Sequence, residues 1–163
     1  MAKFKNTKTL ALLKDIITSS LDNDGDTLTS RCKFNFSYFD SSQPAGQGFS
    51  DWGHNELIKL LEKLVNYSKE PLSYWKNQKN GKQNILEIYG DFPKNSDFEH
   101  PKYIPHQAQW GRFRLEAKVR LIGFVLPSTY DNTVHKVTAK RYDVNTFYVV
   151  FLDKDHMFYK IKK

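Results

Sequence analysis

Hydrophobic positions in the C-terminal half of the chain fall into strand-like runs. In Arg112–Ala117 the charged Arg112, Arg114 and Glu116 alternate with Phe113, Leu115 and Ala117, the period-two pattern of a strand with one apolar and one polar face. Val119–Leu126 is apolar apart from Arg120 and Gly123, and Phe147–Leu152 is apolar or aromatic throughout, as expected of interior strands covered on both sides. If Glu116-Ala117-Lys118 forms a tight turn, the first two runs are antiparallel neighbours. Cross-strand neighbours lie about 5 Å apart, so this pairing predicts three arginines and a glutamate close together.

Upstream the period changes to that of helices. Leu57, Leu60, Leu61 and Leu64 form an apolar stripe in a helix from about Trp52 to Lys69, capped by Ser50 or Asp51, with Lys59, Glu62, Lys63 and Asn66 toward water. Pro71 suits the first turn of a second, shorter helix carrying Leu72, Tyr74 and Trp75. Between Thr7 and Ser20, Leu10, Leu13, Ile16 and Ile17 share one side, which predicts an extra amphipathic helix at the N-terminus. Lys33–Phe39 reads as a strand with Phe34, Phe36 and Tyr38 on one side, and Ile85–Tyr89 as another. Asp22, Asp24 and Asp26 alternate as in a calcium loop, but Lys33 stands where the closing bidentate Glu is needed, so the segment reads as a polar turn.

Three connections are long or basic. Residues 76–82 are a polar loop with Lys76, Lys79 and Lys82, either solvated surface or a phosphate-touching arm. Residues 90–109 contain several prolines and are long for a structureless connection, which suggests function or ordering by Phe92, Phe98, Tyr103 and Ile104. Residues 127–145 carry His135, Lys136, Lys140, Arg141 and Tyr142 between two interior strands.

The 163 residues, 39% hydrophobic and 15% aromatic, suffice for one domain with a real core. Lys and Arg number 25 against 18 Asp and Glu, a net charge of +7, which favours a polyanionic partner such as nucleic acid; the alternative is a basic protein kept dispersed by its lysines. The single cysteine, Cys32, excludes an internal disulfide or a multi-cysteine zinc cluster and reads as a buried structural thiol. No apolar run approaches the ~20 residues of a membrane span, and the N-terminus lacks the pattern of an export signal. A cytoplasmic protein with no membrane partner is expected.

Hydrolase, nucleotide-triphosphatase and dinucleotide-binding motifs are absent from the sequence. His100 and His106 flank Pro101 and Pro105 without a ligand spacing, so neither a metal nor another cofactor is expected. What remains is cationic. Arg112, Arg114 and Arg120 with His156 and Tyr159 suit phosphodiester cleavage, in which guanidiniums stabilise a pentavalent phosphorane and an imidazole moves a proton. Glu116 and Lys154 are further proton-transfer candidates; Lys76, Lys79, Lys82, Lys102, Lys118 and Lys160 are candidate backbone contacts. The plainer alternative treats Arg112 and Arg114 as the solvated face of an edge strand paired with Glu116, His156 as a turn residue and Tyr159 as a core aromatic.

From about Phe34 to Lys160 the succession strand, long helix, shorter helix and three strands, with W-x-R-x-R-L, K-V-R-L-I-G-F-V and F-Y-V-V-F-L-D-K-D-H-M-F-Y, resembles the RelE/ParE/HigB superfamily of toxins. Trp110, Arg112 and Arg114 match the family's W-R-x-R-like strand, Val119-Arg120-Leu121-Ile122 its next strand, and His156 with Tyr159 its H-R-x-x-x-Y-like tail. The chain departs from the family in its N-terminal extension (1–30), in long loops at 90–109 and 127–145 within the 31–163 core, and in a His-to-Tyr interval one residue short. The resemblance implies an α+β fold, an antiparallel curved sheet with two helices packed on one face, to which this chain adds the extra N-terminal helix expected from its periodicity. It implies either ribosome-associated endoribonuclease activity on mRNA, through 2′-hydroxyl attack on the adjacent phosphate, or a non-catalytic role such as gyrase inhibition. It also implies RNA or the ribosome and an acidic antitoxin as partners; a separate alternative is a phage- or mobile-element-encoded protein whose insert loops, with Tyr103, Tyr130 and Tyr142, clamp a protein partner.

Overall fold

The strands and helices are those of a computed structural model that describes residues 27–160. The N-terminal helix expected at Thr7–Ser20 and the acidic turn after it lie outside the described residues. Strands are β1 (Lys33–Asn35), β2 (Lys79–Asn80), β3 (Gln83–Asn84), β4 (Leu86–Gly90), β5 (Gln109–Arg114), β6 (Arg120–Val125) and β7 (Thr146–Asp153). Helices are α1 (His54–Tyr67) and α2 (Leu72–Asn77). Five strands form one mixed sheet in the order β1-β7-β6-β5-β4, and β2 pairs with β3 in a separate hairpin. The α+β class is as expected. The all-antiparallel arrangement is corrected at one edge, where β1 runs parallel to β7 with Phe34 opposite Phe147. Alternation along β1 tells which face Phe34 occupies; it carries no information on the direction in which the chain enters the sheet edge.

Both faces of the sheet are covered. On one, Leu60 and Tyr67 of α1 and Leu72 and Trp75 of α2 pack on Phe113, Leu121, Phe147, Val149 and Leu152. On the other, Phe98, Ile104 and Ala108 of the 90–109 loop pack on Trp110, Ile122, Phe124 and Phe151. That loop is ordered by its apolar side chains, each worth about 1.5–3 kcal/mol when withdrawn from water. Tyr103 is the exception among the four expected pins: it is 56% exposed and instead stacks on Tyr38 and donates to Asp40 Oδ2 at 3.2 Å.

Helix α1 starts at Gly53 rather than at a serine or aspartate cap, and the Glu56 carboxylate accepts from the Gly53 N–H at 2.7 Å. Asp51 instead closes the preceding 3-10 turn by accepting from the Gly48 N–H at 2.7 Å. Leu57, Leu60 and Leu64 face the sheet, whereas Leu61 is 60% exposed because the stripe is narrower than four leucines. The strand expected to reach Phe39 stops at Asn35, whose side-chain oxygen accepts from the Ser37 N–H at 2.9 Å. This turn separates the aromatics: Phe34 and Phe36 stay on the helical side, and Tyr38 crosses to pack on Phe124 and Tyr148.

Candidate functional site

Strand pairing assembles the arginines. Arg114 is the direct cross-strand partner of Arg120, and Arg120 is in turn the partner of Asp153. Arg112 lies two residues before Arg114 on the same face of β5, opposite Glu87 of β4. The row is held at its end by the turn: Leu115 N–H donates to the Val119 carbonyl at 3.1 Å, leaving Glu116-Ala117-Lys118 as the connection. Like charges directly opposite are destabilising, and the neighbouring acceptors offset that cost.

Each guanidinium is held differently. Arg112 is buried and forms a 2.6 Å ion pair with Glu87 through Nη2; its Nε donates to the Tyr89 hydroxyl. Arg120, 3% exposed, turns Nη1 into the turn and shares it among the carbonyls of Glu116, Ala117 and Val119 at 2.8, 3.0 and 2.9 Å. Burial, followed by the charges of Arg112 and Arg114, brings the Arg120 pKa down to about 10. Arg114 is half-buried and makes one long side-chain bond, Nη1 to the Ala117 carbonyl at 3.3 Å. Burial and the charge of Arg112 lower its pKa as well. Three donors on three adjacent guanidiniums, Arg112 Nη1, Arg114 Nε and Arg120 Nε, are closed to solvent without an acceptor, a cost carried within the cluster.

The histidine reaches this cluster through Asp153. Its carboxylate, 1% exposed, accepts from the backbone N–H groups of Asp155, Met157 and Phe158 at 3.2, 3.0 and 2.9 Å and folds the tail back over the sheet. His156 sits within that turn at φ 61°, a left-handed conformation that costs a non-glycine residue roughly 1–2 kcal/mol. Burial lowers its pKa, and the charges of Arg120 and Arg112 lower it further against the opposing Asp153. Tyr159 lies nearly flat on Tyr89, ring centres 4.7 Å apart at 7°, and is exposed. From the helical side, the Tyr67 hydroxyl donates to the Arg114 carbonyl and fixes the backbone beneath the cluster.

The sign of the His156 shift sets a pH dependence. Its folded-state value lies below the ordinary 6.5, so on acidification the unfolded chain takes the proton first. The stability it contributes is complete above the ordinary value and is lost as pH falls through the folded one. Urea midpoints measured between about pH 7 and pH 5 should therefore fall more steeply in the unaltered protein than in His156→Gln.

Not every expected site residue joins. Glu116 points to α1 and pairs with Lys59 at 3.1 Å. Lys154 lies toward α1 too, bonding the Asp51 carbonyl at 2.9 Å and Glu56 at 2.8 Å, with its ammonium 5.3 Å from the Trp52 ring centre. Lys154 follows Asp153 onto the opposite face, and Glu116, although in step with Arg112 and Arg114, has left the strand and lies in the 116–118 turn. Lys118 is exposed in the β5–β6 turn beside the cluster. Lys79 and Lys82 project from the β2–β3 hairpin, and Lys76 borders a cleft beside α2. Lys102 lies in the 90–109 loop, and Lys160 pairs with Asp97. Cys32 donates to the Tyr67 carbonyl at 3.1 Å, and burial pushes its thiol up to about 11, outside the range of a nucleophile.

Glu87, Tyr89 and Asp153 complete the site, and sequence reasoning missed them. The lone acid in the apolar run I-L-E-I-Y was a usable signal, since a charge in a covered strand needs a partner. Among the described residues no helix is long and apolar enough to cross a membrane. Neither a protein family, a curated protein nor a solved structure matches the chain.

Proposed function

We propose that the protein is a toxin-like endoribonuclease that needs no metal and cleaves RNA by attack of a ribose 2′-hydroxyl on the adjacent phosphate. The observation that carries this is the convergence of Arg112, Arg114, Arg120 and His156 at one end of a sheet face, where half-buried Arg114 makes a single 3.3 Å side-chain bond. His156, held neutral near pH 7 by its surroundings, takes the 2′-hydroxyl proton as the O2′–P bond forms. Arg114, with the field of Arg112 and Arg120 behind it, stabilises the added negative charge. The P–O5′ bond then breaks, the 5′-oxygen receives a proton from the Tyr159 hydroxyl, and the products are a 2′,3′-cyclic phosphate and a 5′-hydroxyl. An acidic antitoxin would cover the same basic face, and the ribosome would present the substrate.

A second reading is favoured by how firmly two of the arginines are held. With Arg112 committed to Glu87 and Arg120 to turn carbonyls, the cluster serves as a rigid basic surface that binds nucleic acid or a protein target without cleaving. One experiment separates the two: purified protein incubated with RNA in a chelator, with and without ribosomes. Cyclic-phosphate ends are the expected product; intact RNA under both conditions overturns the nuclease and leaves the binding surface.

A further inference from the structure

The 90–109 loop does more than cover the sheet: with the start of β5 it lines an open cavity of about 440 Å³, within the size range that takes a small ligand. Phe92, Ile104 and Trp110 form an apolar floor, and His100, Lys102 and His106 stand at an exposed rim that holds one acid, Asp91. The His100 ring packs edge-on to both Phe92 and Trp110, with centroids at 5.2 and 5.4 Å. Among the described residues no group of three or more His, Cys, Asp and Glu side chains is placed to hold a metal. Aromatic walls under a basic rim are the chemistry that receives a flat base and its phosphate.

The cavity lies on the arginine side of the sheet. Trp110 precedes Arg112 by two residues on β5, so their Cα atoms are roughly 7 Å apart on one face. An aromatic path joins the two places: Phe92 packs on Phe158 at 5.2 Å, Phe158 lies 6.4 Å from Tyr89, and Tyr89 both stacks on Tyr159 and bonds Arg112. Phe158 is buried, so these contacts couple the two places through the core, and a single strand with its scissile phosphate at Arg114 would meet Tyr159 at one end and the loop at the other.

We propose that this cavity is a nucleotide subsite, in which a base of the same single-stranded RNA rests on Phe92 and His100 while Lys102 and His106 hold its phosphate. The inference rests on the RNA-cleaving reading and narrows it: the substrate is a single strand several nucleotides long, because a duplex cannot offer an unstacked base and a dinucleotide cannot span from Arg114 to the loop.

The test uses the full chain and fluorescein-labelled single-stranded RNA with 2′-O-methyl riboses, which cannot be cleaved, with binding followed by anisotropy. An octanucleotide should bind the Lys102→Ala/His106→Ala variant about ten-fold more weakly than the unaltered protein, and a dinucleotide should bind both equally. Arg114→Ala should weaken both oligonucleotides. An abasic octanucleotide should bind both proteins more weakly by the same factor, because Phe92 and His100 are intact in each, and the difference that remains between them should shrink with added salt. The altered side chains are exposed, and an unchanged thermal midpoint verifies that the variant is folded. An octanucleotide that binds the loop variant as tightly as the unaltered protein, while Arg114→Ala still weakens it, overturns the subsite and leaves the RNA-cleaving reading intact. Failure of the unaltered protein to bind either oligonucleotide overturns both.

Discussion

Arg114→Ala should lower RNA cleavage by about a hundred-fold or more, and loss of the His156 imidazole by a similar factor, with the folded domain retained in each case. Arg114 is the half-buried member of the cluster, and its side chain gives up a single 3.3 Å bond, so little stability goes with it. His156 needs more care: at φ 61° an alanine carries backbone strain of its own, whereas asparagine tolerates the left-handed region. His156→Asn is therefore the cleaner variant, and His156→Ala serves beside it. Lys154→Ala is the contrast, because its ammonium binds Asp51 and Glu56 at the start of α1 and its removal should leave the rate within about two-fold. Single-turnover rates of cyclic-phosphate formation at saturating RNA would measure all four. Full activity in both Arg114→Ala and His156→Asn would remove the site assignment.

The acid limb of the same rate should lie below the ordinary histidine value, because burial and the two arginines lower the His156 pKa. A neutral base is then present through the neutral range and is lost only as pH falls through that depressed value. Replacing Arg112 would relax one cause of the depression and shift the limb toward higher pH. It would also free Glu87 and Tyr89, which makes Arg114 and His156 the better probes of chemistry.

How much of the site is legible in the sequence depends on the range of the interaction. The pairing of Arg114 with Arg120 follows from a three-residue turn between two apolar runs, because register in a hairpin is local. Convergence of His156 on those arginines depends on Asp153, whose carboxylate gathers three backbone donors further along the chain; in sequence it is one aspartate among the polar residues after a strand. Glu87 and Tyr89 come from a strand more than twenty residues upstream of Arg112, and nothing local says that β4 and β5 are neighbours. Lys154 and Glu116 are near the candidate residues in sequence, but alternation puts Lys154 on the face opposite Asp153, and the turn after Leu115 takes Glu116 out of the row that Arg112 and Arg114 begin. Tyr38 crosses to the other face for a similarly small reason, a side-chain bond at Asn35 that ends the strand.

The middle of the sheet carries the largest expected effect on stability. Gly111 and Gly123 are direct cross-strand partners, and each faces a flanking strand that slips register, β4 between Ile88 and Gly90 and β7 opposite Ile122 and Gly123. Such bulges bring an extra residue close to the neighbouring backbone. A Cβ on Gly123 would stand 2.1 Å from the Tyr148 carbonyl oxygen and 2.7 Å from the Phe147 ring; on Gly111 it would stand 2.6 Å from the Glu87 carbonyl oxygen. The obstacle at Gly123 is backbone in an interior strand with buried neighbours on both faces, so no flexible side chain can swing away. Gly123→Ala should therefore cost at least about 3 kcal/mol, read as a fall in the urea midpoint at unchanged m-value. Gly81→Ala gives the comparison: at φ 63°, with no heavy atom within 4 Å of where its Cβ would stand, it bears only local conformational strain of about 1 kcal/mol. Because Gly123 lies in the strand that delivers Arg120, and the register slip it permits sets where β7 presents Asp153, a Gly123→Ala protein that still folds would lose alignment of the arginine row with the His156 turn. Cleavage in that variant should fall further than the folded fraction alone predicts. A rate that tracks the folded fraction would mean the bulge shapes the sheet without positioning the site.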